Sequence, residues 1–240
     1  MGGPGASRHR APSTIEPVLT RLAAVAATLL LVPTLAACGG SGSSTSAADS
    51  SGTPCPWAKS GSPAKTATPP PTTADQSGSV PVTIDTNVGT LTATLDAVDA
   101  PCTVTSFLSL ATQGYFDNTP CHRLTTKNIY VLQCGDPTGT GTGGPGYTIP
   151  DELHGAEAYA PGTLAMANTG QPNSGGSQFF IVYQDSTANL QKVYTVFGHL
   201  DAKSLAAVQK VAAQGSDNSN GAGDGAPKQP VTITKVTAGG

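Results

Sequence analysis

Two short apolar runs, Leu164-Ala-Met166 and Phe179-Phe-Ile-Val-Tyr183, enclose a stretch that can be neither helix nor strand. Asn168, Thr169, Gly170, Pro172, Asn173, Gly175 and Gly176 break both periodicities, so the runs read as separate buried strands joined by a surface loop. Such a loop presents backbone amides to water or to a ligand, which is the make-up of a binding rim. Taken alone, an ordinary Gly-rich connection would look the same.

The rest of the chain repeats the pattern of short strands and sharp breaks. Val82-Thr-Ile-Asp-Thr86 and Leu91-Thr-Ala-Thr-Leu95 alternate apolar and polar residues about Asn87-Val-Gly89, which predicts an antiparallel hairpin. A helix is predicted over 101–114, with Pro101 at its start, Val104, Phe107, Leu108 and Ala111 on one face, and Gly114 as its stop. Further strands are predicted at 121–124, 129–133, 162–166, 179–183, 193–198 and 231–236. A second helix, with Leu205, Val208, Val211 and Ala212 on one face, follows His199. Eight short strands and two helices predict a mainly β fold, a closed eight-stranded antiparallel β-barrel capped by two α-helices. Residues 80–240 are enough for one such domain with a single core.

Ahead of it the composition changes. Arg8, His9, Arg10 and Arg21 precede an apolar run from Leu22 to Val32, and Leu35-Ala-Ala-Cys38 follows, so residues 1–37 read as a secretory signal. The run is shorter than the roughly 20 residues of a membrane-spanning helix. Small residues before a cysteine resemble the lipobox of bacterial lipoproteins, which implies that Cys38 carries lipid and holds the protein to the cell membrane from outside. Cleavage near Ala36 or Ala37 with release is the alternative. Residues 38–79 are rich in Gly, Ser, Thr, Ala and Pro and read as an extended tether. Cys55-Pro-Trp57 interrupts it with a cysteine and the chain's one tryptophan, which raises the alternative of a docked foot.

Charge and ligand spacing exclude several classes. A net charge of -3 with 11% charged residues offers no basic stripe for nucleic acid. His122, His154 and His199 lack cysteine or carboxylate partners at ligand spacing, and no Cys-x-x-Cys pair occurs, so neither metal nor cofactor is expected. No nucleophile elbow stands in the folded part; Gly39-Gly-Ser-Gly-Ser43 misses one inside the tether.

A second set of blocks decides what the rim belongs to. Gly114-Tyr-Phe-Asp-Asn-Thr-Pro-Cys-His-Arg-Leu124 is followed by Ile129-Tyr-Val-Leu-Gln-Cys-Gly-Asp136 and Gly139-Thr-Gly-Thr-Gly-Gly-Pro-Gly146, then by Met166-Ala-Asn168 and Ser177-Gln-Phe-Phe180. Five blocks in this order, over roughly 80–236, resemble the cyclophilin-type peptidyl-prolyl isomerases. The resemblance implies a site. Arg123 falls on the catalytic arginine and Gln133 on the glutamine that steers it. Tyr130, Val131, Phe180, Leu190 and Tyr194 fall on the pocket for the proline ring, Asn168 on the residue whose backbone clamps the peptide, and Gly141, Ala167, Thr169 and Gln178 on the adjoining groove. It further implies proline-containing polypeptides as partners and a monomer. The chain departs from the family pattern in carrying two more residues between His122 and Gln133, in Tyr130-Val131 where Phe-Met is common, and in Asn189 where many members have tryptophan. The last departure implies weak binding of cyclosporin. A peptide-holding chaperone without turnover, or a surface-display module on a stalk, would share much of this sequence.

The chemistry such a site implies needs no nucleophile. The barrier to rotation about an Xaa-Pro bond, roughly 18–20 kcal/mol, is amide resonance. Twisting the bond returns a lone pair to the proline nitrogen, and a fixed cationic donor beside that nitrogen binds the twisted state better than either planar one. With Cys38 lipidated, Cys55, Cys102, Cys121 and Cys134 remain to pair. Carrying strand alternation from Arg123 to Cys121 and from Gln133 to Cys134 puts these two cysteines on opposite faces, which favours Cys102 with Cys121 and Cys55 with Cys134.

Overall fold

The computed structural model describes residues 52–239. The expected signal segment, Cys38 and the first part of the expected tether lie outside the described residues. In chain order the elements are β1 (Thr53–Pro54), β2 (Ala58–Lys59), β3 (Thr73–Ala74), β4 (Ser79–Thr86), β5 (Gly89–Asp96), α1 (Pro101–Thr112), β6 (Thr119–Pro120), β7 (Arg123–Thr125), β8 (Val131–Cys134), β9 (Tyr147–Thr148), β10 (Thr163–Met166), β11 (Phe179–Val182), β12 (Val196–Leu200), α2 (Ala202–Ala212), β13 (Asp224–Gly225) and β14 (Thr232–Ala238). Both expected helices are present, and the eight expected strands correspond to β4, β5, β7, β8, β10, β11, β12 and β14.

Alternation drives the longest pairing. β4 and β5 run in full register from Ser79↔Asp96 to Thr86↔Gly89 about Asn87-Val88, and Val82, Ile84, Leu91, Ala93 and Leu95 all face the core. Inside, the Phe107 ring of α1 packs on Phe116, Phe179 and Phe197 at centroid distances of 5.0, 5.4 and 5.4 Å. Proline opens α1, but the residue before it, Ala100, has no side chain to cap the helix. Glu152 serves instead, accepting from the N–H groups of Cys102 and Thr103 at 2.8 Å each. In α2 the cap is local, with Asp201 accepting from Ser204 N–H at 2.7 Å.

Ten of the strands form one curled antiparallel sheet in the order β13-β7-β8-β11-β10-β12-β5-β4-β14-β6. Its two edges, β13 and β6, are not hydrogen-bonded to each other among the described residues. The chain itself joins one side of the sheet to the other: it leaves β6 at Pro120 and enters β7 at Arg123. The expected closed ring is therefore a curled sheet with a seam, bridged by Cys121 and His122.

That seam corrects the expected disulfides. The pairs are Cys55–Cys102 and Cys121–Cys134. Alternation holds for Cys134, which faces the core opposite to Gln133, but Cys121 and Arg123 do not share a strand. Between them the chain changes sheet edge, so the facing of Arg123 says nothing about Cys121, and both sulfurs turn inward.

Residues 52–79 also differ from an extended tether. Here β1 pairs with β3, and β2 with β9; Lys65 Nζ donates to the carbonyls of Gly114 and Asp117 at 2.6 and 3.0 Å. The Trp57 ring meets Tyr147 edge-on at 5.8 Å. The docked foot that Cys55-Pro-Trp57 raised as the alternative is thus what the structure shows; the rest of the segment was not legible because backbone hydrogen bonds hold it, not an apolar stripe.

Candidate active site

Arg123 starts β7 and stands directly opposite Gln133 of β8. On its other side β13 brings in Asp224, whose carboxylate accepts from Arg123 Nε (2.8 Å) and Nη2 (2.6 Å). Nη1 reaches Gln133 Oε1 at 3.4 Å. The polar line continues: Gln133 Nε2 donates to Gln178 Oε1 at 2.8 Å, and Gln178 Nε2 lies 2.9 Å from the carbonyls of both Gly141 and Gly143.

The Gly-rich loop that receives this line is held from beneath by Asp136. Its carboxylate accepts from the N–H groups of Thr138, Gly141 and Gly143 at 2.8, 2.7 and 3.0 Å. A Cβ at residue 143 would collide with this carboxylate, so the close approach requires glycine. Burial alone would raise the Asp136 carboxyl, yet the bonds from Gly143, Thr138 and Gly141 outweigh it and keep the group below its ordinary value.

The charges at the centre are set by their neighbours. The bond from Asp224 pushes the Arg123 guanidinium further up, and Arg123 in turn holds the Asp224 carboxyl down. His122, beside them, is pushed down chiefly by burial, which keeps it neutral. The site therefore offers a fixed cation whose plane is set by a bidentate carboxylate, with N–H groups of Nη1 and Nη2 left for a ligand.

Against this cation lies a small cavity of about 140 Å³, walled on its apolar side by Val131, Phe180, Leu190 and Tyr194. Tyr194 stands edge-on to Phe180 at 5.3 Å. A volume on the order of 150 Å³ holds a benzene ring, so the space against these apolar side chains is wide enough for the ring of a proline. A larger cavity of about 400 Å³ adjoins it, lined in part by Gly141, Ala167, Asn168, Thr169 and Gln178. Ala167, Asn168 and Gln133 line both cavities. Asn168 is fixed by its side chain, which donates to Val193 O at 2.8 Å and accepts from Gly170 N–H at 3.0 Å.

Of the expected site residues, only Tyr130 stands apart. It faces away from the small cavity and packs edge-on against Tyr183 at 5.9 Å. Strand alternation puts Ile129 and Val131 on the groove side instead, and both line the cavity. Asp224 was not anticipated. Gly-Ala-Gly-Asp-Gly is a turn sequence, and nothing local marks its carboxylate as the partner of an arginine a hundred residues earlier.

The sequence comparisons agree with this geometry. The model of the family described as cyclophilin type peptidyl-prolyl cis-trans isomerase/CLD matches residues 81–238. The chain belongs to this family. Among similar cyclophilins, a probable peptidyl-prolyl cis-trans isomerase B of Mycobacterium tuberculosis is 48% identical over 170 residues, covering 65% of this chain and 54% of that protein. A peptidyl-prolyl cis-trans isomerase A of the same species is 37% identical over 172 residues, covering 65% of this chain and 90% of that protein. The chain thus spans about half the length of the isomerase B relatives it matches. A Cryptosporidium parvum cyclophilin crystal structure superposes with a TM-score of 0.58 at 32% identity, covering 68% of this chain and 98% of that one. A second, determined in the presence of the dipeptide Ala-Pro, gives 0.57 at 31% identity, covering 67% and 99%.

Proposed function

We propose that this cyclophilin is a peptidyl-prolyl cis-trans isomerase acting on Xaa-Pro bonds of exported proteins, held at the outer side of the cell membrane by lipid on Cys38. The observation that carries the catalytic reading is the placement of Arg123: an oriented guanidinium on the polar side of a cavity of about 140 Å³ whose other side is formed by Val131, Phe180 and Leu190.

In the mechanism that follows, the proline ring enters the pocket of Val131, Phe180 and Leu190, and the preceding peptide crosses Asn168. As the bond twists, resonance is lost and the proline nitrogen regains a lone pair. A free N–H of Arg123 donates to that nitrogen, and the donor is already aligned by Asp224 and Gln133, so little reorganisation accompanies the step. A rate gain of about five decades corresponds to roughly 7 kcal/mol of differential binding. One charge-assisted bond contributes only part of this, and the apolar cradle and the peptide clamp supply the remainder. No proton leaves the enzyme and no covalent bond is broken.

A protease-coupled assay with a proline tetrapeptide tests the reading. Acceleration of the slow isomerisation phase is expected. A chain that competes for the peptide without speeding that phase would be a holding chaperone.

A further inference from the structure

Residues 52–74 precede the family domain, which begins at residue 81, yet part of them is built into the larger cavity of the groove. Ala58 and Lys59 pair with Thr148 and Tyr147. Ser60 N–H then donates to Gly146 O at 2.9 Å, and Ala64 N–H to Gly144 O at 2.8 Å. Those carbonyls belong to the Gly-rich loop that Gln178 and Asp136 fasten from the other side. Ser60 itself lines the cavity of about 400 Å³ together with Gln178, Ala167 and Asn168.

The segment is anchored on both sides of Ser60. Ahead of it, Cys55 is bonded to Cys102 of α1, and Trp57 rests on Tyr147 while its Nε1 donates to Pro71 O at 3.0 Å. Behind it, Lys65 grips the turn after α1, and Thr68 exchanges hydrogen bonds with Gln113. A strap fixed in this way holds its inner edge at a constant distance from the groove.

We propose that residues 58–64 are a specificity element of the isomerase, holding Ser60 at the lip of a subsite for the side chain of a substrate residue outside the proline. The inference rests on reading the groove as the substrate site. The chemistry of the lining defines the side chain accepted. The cavity lining carries no charged side chain, so a charged substrate residue would lose hydration there without gaining a partner. An uncharged side chain of moderate size fits, and the strap makes an extended polypeptide a better substrate than a minimal proline peptide.

The test uses the full chain and two peptides around the same Xaa-Pro bond: a tetrapeptide, and a form extended on both sides with uncharged residues. Ser60→Phe narrows the lip. The ratio of kcat/KM for the extended peptide to that for the tetrapeptide is expected to fall about tenfold, carried by KM and not by kcat. An unaltered ratio, or a fall carried by kcat, overturns the proposal. Should neither peptide be turned over, the isomerase reading fails while this one stays testable. The chain's one tryptophan, Trp57, lies in the strap, and its fluorescence then reports binding of the extended peptide. Weaker binding to Ser60→Phe supports the subsite, and equal binding removes it.

Discussion

Asp224 and Arg123 form a two-pronged ion pair between neighbouring strands, with Nη2 to Oδ2 at 2.6 Å and Nε to Oδ1 at 2.8 Å. Two parallel bonds fix the plane of a guanidinium where one would leave it free to turn. The Arg123 and Asp224 side chains are 34% and 27% exposed, so solvent screens the pair and its part in stability is small. Its value lies in orientation. Asp224→Ala is expected to lower kcat about tenfold, equivalent to about 1.4 kcal/mol, with little change in the melting temperature. A kcat equal to that of the parent protein would assign the orientation to Gln133 alone.

The same pair fixes the response to acid. Arg123 depresses the Asp224 carboxyl. A depressed carboxylate contributes stability that is present above its unfolded value of about 3.9 and is lost as pH falls through the folded one. His122, pushed down by burial, acts in the same sense, its contribution declining as pH falls from about 6.5. Stability should therefore decline on acidification, whereas kcat should hold until the pH is below about 3.9, because the Asp224 carboxyl is held under its ordinary value. An acid limb well above that and below about 6.5 would instead place His122 in the chemistry.

Arg123→Ala removes the donor itself. Most of the catalytic rate should disappear while the melting temperature moves by no more than a few degrees, because a half-exposed groove residue carries little of the fold. Near-parental turnover in the coupled assay would sink the twisted-amide mechanism.

The register at Ile129 and Tyr130 separates binding from packing. Ile129→Ala opens the proline pocket and should raise KM severalfold with the melting temperature nearly constant. Tyr130→Ala loses the packing on Tyr183 and should cost about 1–2 kcal/mol in stability while KM changes little. Denaturant melts and steady-state kinetics on both variants check the assignment, and reversed behaviour would restore Tyr130 to the groove.

Cyclosporin tests the other departure. Asn189 donates from Nδ2 to Asn128 O at 2.9 Å, so its amide is engaged by the protein and supplies no apolar face to the pocket rim. Weak binding of the drug follows. Asn189→Trp is expected to raise affinity at least about tenfold, roughly 1.4 kcal/mol, in a direct titration. It would also lose the bond to Asn128, at a cost of about 1 kcal/mol in stability. Nanomolar binding by the parent domain would overturn the role given to residue 189.

What the sequence disclosed depended on whether the signal was local. The β4–β5 hairpin and both helices could be read because alternation and three-to-four spacing are written in adjacent residues. Arg123, Gln133 and the Gly-rich loop could be read because the motif order resembles a family. Two features could not, and a third only in part. Asp224 meets Arg123 through strand order, and Cys121 lies where the chain crosses from one sheet edge to the other; Cys55 and Trp57 hinted at a docked foot, but the rest of the strap docks by backbone bonds that any residue can make. Tyr130 is a different case: it lies just ahead of β8, where its ring turns onto Tyr183 instead of the groove, and the family pattern does not disclose that turn.

The seam has a kinetic consequence. The β4–β5 hairpin forms between neighbouring segments, and such contacts are made early because little loop entropy opposes them. Arg123 and Asp224 are 101 positions apart, so their meeting closes a long loop. The ion pair is therefore expected among the later contacts of a folding chain. A partly folded molecule has no oriented arginine, so it can hurry neither its own proline bonds nor those of its neighbours. Recovery of isomerase activity during refolding should lag behind burial of the core.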